Sequence, residues 1–436
     1  MKNALRLFTI IVMSVFVFVA VLTACGASTT PAASEMSSAA EESTAADTSA
    51  KETLKADPVV VKFSYWANGA EQKNFEFATE GVDKVYPQIK VVLQGYPSSD
   101  EFWAAVPTSI AAGVGPDVIG FSDEGNSDYM VNGALEPLDD LIKEVGMDKS
   151  KFVPTLFNGW TYEGKLYGIP YDTSTSMMCI NTKMWEEAGL KDYPKTMDEF
   201  KAAAILLTKG DVKGICIRLM NFHITQYTHA FGGDWGNGST IDTKENAAGM
   251  NFIVELFKEG LMITSQQLST AWEGEAFAKG KVAMATGGPW FIGYTKEANP
   301  DMTMVGIPIP KGTTDSQSAY SHGFSITKMS KSKLGAMELI NYMTRDEAQI
   351  KGIENVGYVP AVQSLLPSYI TSVPNYMKMV MDNLSLNGKA FAYPPASKGF
   401  DSDLTKGMEE ICLSSKPALT VEQLLKDLQA KYGPPK

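Results

Sequence analysis

The residues best suited to ligand chemistry are aromatic and polar side chains that directly follow predicted strands. Trp66 and Asn68 follow the first predicted strand, and Asp123 follows the third. In parallel sheets the ligand crevice lies beyond the carboxyl ends of the strands, so we expect these side chains to meet there. Aromatic rings stack on apolar faces, and carboxylate or amide groups bind hydroxyls. This combination favours an uncharged, polyhydroxylated ligand such as a sugar.

Two further tryptophans lie beside glycines. Trp290 follows Gly287-Gly288-Pro289, and Trp235 lies within a glycine-rich stretch at 232–238. Glycine adds no side-chain bulk, so we expect both indoles to face open space and to stack on a ligand. Packing in the protein core is the alternative for each.

The usual sequence motifs of hydrolases and nucleotide-binding enzymes are absent from the chain. It contains no G-x-S-x-G, no H-E-x-x-H and no G-x-x-x-x-G-K-[ST]. His223 and His229 are six positions apart, which does not place them on one helix face. We therefore predict no catalytic residue, no cofactor and no metal site. A glycosidase is the enzymatic alternative, because its two carboxylates can come from distant positions.

Charge and cysteine content narrow the range of partners. A net charge of -12 argues against binding of nucleic acid or anionic lipid headgroups. Arg218 and Arg345 are the only arginines after the first 24 residues, and this scarcity argues against a phosphate ligand. A polyol phosphate, an amino acid or a peptide is the alternative cargo. Cys179, Cys216 and Cys412 are widely spaced, so we predict buried free thiols.

The N-terminus has the pattern of an exported protein. A short basic stretch precedes an uncharged, apolar run at 7–22, which predicts a signal peptide at 1–24. Leu22-Thr23-Ala24-Cys25 resembles the lipobox of bacterial lipoproteins, which implies lipid attachment at Cys25. Residues 25–57 then form a disordered tether, since they hold few large apolar side chains. We expect a protein anchored by lipid to the extracytoplasmic face of the bacterial cell membrane.

Strand and helix patterns alternate in the first half of the mature chain. Strands are predicted at 59–65, 89–93 and 117–121, with helices between them, which indicates a parallel sheet covered by helices. Further helices are predicted at 198–207, 247–257, 334–343 and 421–428. At 436 residues, the chain is too long for a single core. We predict an α/β protein with two lobes.

Several stretches occur in the order found in a known family. The longest are Gly164-Lys165-Leu166-Tyr167-Gly168-Ile169-Pro170-Tyr171-Asp172 and Ile180-Asn181-Thr182-Lys183-Met184-Trp185-Glu186-Glu187-Ala188-Gly189-Leu190. Shorter ones lie at 194–200, 277–284 and 309–312. Over residues 58–430 the chain resembles the extracellular solute-binding proteins of ABC importers, in the sugar-binding family that includes the maltose-binding proteins. It departs from the family at Met197, where tryptophan is usual.

The resemblance implies a periplasmic-binding-protein-like fold with a hinge of crossing segments and a central ligand cleft. The N-terminal lobe is then formed by residues 58–172 and 318–360, and the C-terminal lobe by residues 173–317 and 361–436. Such a protein is a monomer that captures a carbohydrate between its lobes and delivers it to membrane permease subunits.

The resemblance also implies which side chains line the cleft. The predicted set is Trp66, Asn68, Asp123, Asp172, Trp235, Trp290, His322 and Tyr393. Alternatives remain open: Trp66 suits a core position, Asn68 and Asp123 suit turns, Asp172 suits a hinge bond, and His322 suits simple loop bonding.

Overall fold

The computed structural model describes residues 58–67, 69–395 and 397–434. The predicted signal peptide, Cys25, the tether and Asn68 lie outside the described residues. Within the described part, no helix combines the length and apolar character needed to cross a bilayer.

The strands fall into three main sheets and a small hairpin. In chain order they are β1 (Val59–Trp66), β2 (Ile89–Tyr96), β3 (Val118–Ser122), β4 (Thr161–Tyr162), β5 (Lys165–Leu166), β6 (Ile169–Pro170), β7 (Asp172–Thr175), β8 (Met177–Asn181), β9 (Lys213–Ile217), β10 (Met262–Thr264), β11 (Val282–Gly287), β12 (Met304–Ile307), β13 (Gln317–Tyr320), β14 (His322–Ile326), β15 (Val359–Pro360) and β16 (Gly388–Ala390).

Helices cover the sheets and connect the strands. They are α1 (Ala70–Thr79), α2 (Val82–Val85), α3 (Ser99–Ala111), α4 (Ser127–Val131), α5 (Asp139–Val145), α6 (Thr182–Glu187), α7 (Met197–Leu207), α8 (Asn221–Ala230), α9 (Lys244–Lys258), α10 (Glu273–Ala278), α11 (Trp290–Ala298), α12 (Lys333–Met343), α13 (Asp346–Asn355), α14 (Leu366–Ser372), α15 (Tyr376–Asn387), α16 (Ser397–Leu413) and α17 (Val421–Tyr432). Short 3-10 turns lie at Asp123–Gly125, Lys149–Lys151, Pro154–Trp160, Gly236–Gly238 and Gln363–Leu365.

The first sheet has the order β2-β1-β3-β14-β6, in which β1 is parallel to β2 and β3. The predicted strand–helix alternation is therefore confirmed. Its core is aromatic: Phe63 lies 5.6 Å from Phe75 and 5.5 Å from Phe324 between ring centroids, edge to face in both cases. Such pairs add stabilisation beyond the burial of their surface, about 0.5–1.5 kcal/mol each.

The second sheet has the order β10-β9-β11-β8-β12 and a separate apolar core. The helix α7 in this half, predicted at 198–207, begins with a capping box. Thr196 Oγ1 accepts a hydrogen bond from the Glu199 backbone N–H at 3.2 Å, and Glu199 Oε2 accepts one from the Thr196 backbone N–H at 3.3 Å. Separate apolar cores around the first and the second sheet confirm the predicted two-lobed α/β fold.

The third sheet, β15-β7-β13-β16, lies where the chain passes between the other two. β7 follows β6 of the first sheet and precedes β8 of the second, and β13 leads back to β14. The crossings fall near the predicted lobe boundaries, whose exact positions remain a prediction. Cys179 and Cys216 are buried free thiols, as predicted, while Cys412 is only partly buried.

Candidate ligand cleft

Two adjoining cavities open between the first and second sheets. The tryptophan cavity, of about 110 Å³, is lined by Trp66, Glu71, Pro97, Ser98, Ser99, Trp103, Glu124, Arg218, Met220, Phe222, Trp272, Glu273, Trp290, Tyr320 and His322. The acidic cavity, of about 400 Å³, is lined by Asp100, Trp103, Ala104, Glu124, Gly125, Met220, Asn221, Phe222, Tyr393 and Asp401. Four residues line both, so the two cavities form one cleft: Trp103, Glu124, Met220 and Phe222.

Strand ends position much of this lining. On the first-sheet side, Trp66 is the last residue of β1 and Glu124 follows β3. On the second-sheet side, Arg218 follows β9, and Trp290 follows β11 after a short turn. The carboxyl ends of these strands meet at the cleft, as expected for ligand sites of mainly parallel sheets.

Tryptophan dominates the smaller cavity. Four of the seven tryptophans of the chain line it: Trp66, Trp103, Trp272 and Trp290. The rings of Trp66 and Trp103 lie 5.7 Å apart between centroids. The ring of Trp290 lies 6.1 Å from Phe222 and 6.5 Å from Tyr320. Such a wall offers several aromatic planes to the apolar face of a ligand.

The turn before Trp290 needs glycine for a packing reason. A Cβ atom at Gly288 would lie 2.1 Å from Trp290 Cζ3, so the indole occupies the space that a side chain would take. Glycine therefore lets the ring lie against the backbone at the start of α11, where Trp290 is the first helical residue.

Arg218 is one of the two cationic side chains of the tryptophan cavity and is held by a buried carboxylate. Its Nε donates a hydrogen bond to Glu273 Oε2 at 2.8 Å, and Glu273 is only 1% exposed. Burial alone would raise the pKa of Glu273, but Arg218 and the neighbouring His223 outweigh burial and lower this pKa to about 2. The carboxylate of Glu273 therefore holds the guanidinium in place and neutralises its charge.

His322, the second cation, is also paired. Its Nδ1 lies 2.9 Å from Asp172 Oδ2, and its backbone N–H donates to Asp172 Oδ1 at 2.8 Å. Burial would lower the pKa of His322, yet Asp172 raises it to about 9, so the imidazole is cationic at neutral pH. Asp172 is fully buried and is not among the residues that line the two cavities, so it acts on the cleft through His322.

Glu124 faces both cavities and, unlike Arg218 and His322, forms no short ion pair among the described residues. Its Oε2 atom is buried and accepts no hydrogen bond within the described part of the chain. Burial raises the pKa of Glu124 to about 8, against the opposing influence of His322. The neighbouring Asp123 turns inward instead, accepting a hydrogen bond from Ser321 Oγ at 2.9 Å, and burial raises its pKa to about 6.

The predicted site residues thus have different locations. Trp66, Trp290 and His322 line the tryptophan cavity, and Tyr393 lines the acidic cavity. Asp123 and Asp172 lie behind the lining, and Asn68 lies outside the described residues. Contact of any of them with a ligand remains a prediction.

The prediction that the indole of Trp235 faces open space is wrong. Its side chain is fully buried, its Nε1 donates to Thr225 Oγ1 at 2.7 Å, and its ring lies 5.1 Å from that of Phe400. The glycine-rich stretch provides no packing of its own, but α8 and α16 enclose the indole from elsewhere in the chain. Trp235 is a core residue of the second lobe.

Sequence reasoning missed several lining residues. Trp103 lies inside α3 and Trp272 just before α10, so no strand end marks either of them. Glu124 adjoins Asp123 in the loop that the strand-end rule identified, but the rule does not tell which carboxylate faces the cleft. Arg218 was singled out only for the scarcity of arginine.

Comparisons with known proteins agree with this architecture. A family of bacterial extracellular solute-binding proteins matches residues 73–377. A binding protein of Brucella abortus strain 2308 is 26% identical over 301 residues, covering 66% of this chain and 72% of its own length. The maltotriose-binding protein of Pyrococcus abyssi is 24% identical over 309 residues, covering 68% of this chain and 65% of its own. An ABC substrate-binding protein from Listeria monocytogenes, solved with cycloalternan, superposes with a TM-score of 0.78 at 20% identity, over 86% of this chain and 98% of its own.

Proposed function

The chain belongs to the family of bacterial extracellular solute-binding proteins, and on that premise we propose that it is the lipid-anchored receptor of an ABC importer for an extracellular carbohydrate. The observation that carries the proposal is a cleft between two lobes lined by four tryptophans and by polar groups in fixed positions. The ligand binds between the lobes, which close around it, and the closed form is delivered to membrane permease subunits.

A carbohydrate suits this lining for two physical reasons. Its C–H faces are apolar and stack on indole rings, and its hydroxyls need donors and acceptors held in place. Arg218 and His322 meet the second need, because Glu273 and Asp172 fix their orientation from behind. Groups positioned before binding lose less freedom when the ligand arrives, which favours affinity.

A polyol phosphate fits the same cleft less well. Phosphate recognition calls for cationic groups that are not already neutralised. Arg218 and His322 each face a buried carboxylate, and Glu124 adds an acidic group beside them. The electrostatics of the cleft therefore favour a ligand without negative charge.

The membrane anchor is supported by the sequence alone. Residues 1–24 have the pattern of a signal peptide, and Cys25 follows Leu22-Thr23-Ala24 in the order of a lipobox. Lipid attachment at Cys25 would hold the two lobes outside the cell, close to their permease, through a tether that ends near residue 57.

A saccharide panel tests the proposal. Purified protein, residues 25–436, is heated with neutral and amino mono- and oligosaccharides, and a ligand that binds only the folded state raises the melting temperature. We expect at least one saccharide to do so and chromatography to return it unchanged. If no saccharide shifts the transition, the proposal of a carbohydrate ligand is wrong; if a saccharide is cleaved, the protein is a glycosidase.

A further inference from the structure

We propose that the carbohydrate captured here carries a protonated amine, and that this ammonium group occupies the acidic cavity beside Glu124. The inference rests on the receptor function proposed above and specifies the chemical class of its ligand.

The charges that line the acidic cavity are of one sign. Asp100, Glu124 and Asp401 contribute carboxylates, and among the described residues that line it there is no lysine, arginine or histidine. Asp401 Oδ1 already accepts a hydrogen bond at 2.8 Å from the Asn221 backbone N–H, at the start of α8. The cavity therefore combines a structural carboxylate with two others that face its space.

The cations of the adjoining tryptophan cavity do not balance these carboxylates. Arg218 makes its short contact with Glu273, at 2.8 Å, while its Nη1 lies 3.6 Å from Asp100, whose side chain is 60% exposed. His322 is held by Asp172. Each cation has its short contact with a buried carboxylate, and His322 in addition acts at longer range on Glu124, whose pKa it lowers.

Glu124 is the least well paired of these carboxyl groups. Its Oε2 is buried and has no hydrogen-bond partner among the described residues, so the ionised form is unfavourable there unless it gains a partner. Burial raises the pKa of Glu124 to about 8 although the cationic His322 opposes the rise, so the carboxyl is mainly protonated at neutral pH before a ligand binds. An ammonium group from the ligand would supply both the opposite charge and a charge-assisted hydrogen bond.

The remaining walls of the acidic cavity suit the same ligand. Trp103, Phe222 and Tyr393 line it together with the carboxylates. The face of an aromatic ring attracts a cation within about 6 Å of its centroid. The same rings stack on the C–H face of a sugar, so an amino sugar uses both properties of the lining.

A neutral sugar would use Glu124 differently. The protonated carboxyl would then donate a hydrogen bond to a ligand oxygen, and replacing a ligand hydroxyl by an ammonium group would weaken binding. The two possibilities thus predict opposite selectivity between otherwise matched saccharides.

Matched series of saccharides distinguish an amine ligand from a neutral one. Calorimetric affinities are measured at pH 7, where the amines are mainly protonated and the Glu124 carboxyl loses its proton more easily than in acid, for glucose, galactose, mannose and cellobiose, and for their 2-amino and 2-acetamido counterparts. We expect the tightest ligand to be an unacetylated amine that binds at least ~10-fold better than both of its neutral counterparts.

Glu124→Gln tests the location. It removes the ionisable carboxyl with little change of shape, so no carboxylate can form there to pair with an ammonium group, and we expect the preference for the amine to fall below ~3-fold. Glu187→Gln makes the same chemical change at an exposed position at the end of α6, and should keep the parent's preference. The melting temperature of each ligand-free variant reports folding, and the parent's selectivity stands as a test whether or not Glu124→Gln folds.

The outcomes distinguish this inference from the function it rests on. Neutral members that bind as well as the amines would refute the inference and leave a sugar receptor. A preference of ~10-fold that survives in Glu124→Gln would refute the placement at Glu124. If no saccharide binds, the proposal of a carbohydrate receptor fails, and the inference fails with it.

Discussion

Replacing Trp290 by alanine should weaken ligand binding more than it weakens the fold. The indole lines the tryptophan cavity, and its buried part packs against Phe222 and Tyr320. Loss of an aromatic anchor in a binding site costs about 2–4 kcal/mol, which is roughly 30- to 1000-fold in dissociation constant. A fully buried tryptophan costs about 3–5 kcal/mol of stability when it is truncated to alanine. Trp290 is only partly buried, so we expect a loss of about 2 kcal/mol, or roughly 4–8 °C in melting temperature.

Trp235→Phe is the matched control. Trp235 is fully buried away from the cleft, and the change removes its hydrogen bond to Thr225, so stability should fall by a similar ~2 kcal/mol while affinity stays at the parent's value. Calorimetry at 25 °C, with thermal unfolding of the ligand-free proteins, measures both quantities. Affinity of Trp290→Ala within about 3-fold of the parent would refute the reasoning, because so small a loss is under ~1 kcal/mol. Weakened binding in Trp235→Phe would show that destabilisation alone explains the effect.

Three further predictions follow from the ion pair, the N-terminus and the hinge. Asp172→Asn should lower the pKa of His322 from about 9 toward its ordinary value, read from its ring resonances by NMR. Because the folded-state pKa of His322 is raised, the ion pair stabilises the protein fully below about pH 6.5, and this contribution is lost as the pH rises through the folded-state pKa. The parent should therefore lose more unfolding free energy than the variant between these two pH values. Parallel plots of unfolding free energy against pH would contradict the assignment. Cys25→Ser should be unprocessed or released from the membrane fraction, and a variant processed and retained like the parent would exclude lipid attachment there. A saturating sugar should reduce the radius of gyration in X-ray scattering, whereas an unchanged curve at proven saturation would argue against lobe closure.

Local patterns predicted the elements of the first lobe well. The strand at 59–65 appears as β1 (Val59–Trp66), and the strand at 89–93 as β2, which continues to Tyr96. Both carry β-branched residues, whose stiff side chains favour extended backbone. The helix predicted at 198–207 appears as α7 (Met197–Leu207), and its capping box is equally local, because its hydrogen bonds join residues three positions apart.

The cleft was predicted less completely, since it is assembled from segments far apart in sequence. Trp66 was found by the strand-end rule, Trp290 by its neighbouring glycines and His322 by the family resemblance. Trp103 and Trp272, in contrast, lie at positions that no local rule marks. They line the cleft only because α3 and α10 pack against strands of different sheets.

The sequence by itself determined the alternation of strands and helices, the two-lobed architecture and the chemical character of the lining, because these depend on short-range propensity, on chain length and on which residue types are present. Tertiary structure alone decided the environment of each candidate. Trp235 and Trp290 both lie beside glycines, yet one is enclosed by α8 and α16 while the other lines the cleft. Asp123 and Glu124 are neighbours, yet one bonds to Ser321 and the other keeps a buried oxygen without a partner. Burial and pairing depend on residues far apart in sequence, such as Asp123 and Ser321, which are 198 positions apart, and no local pattern contains that information.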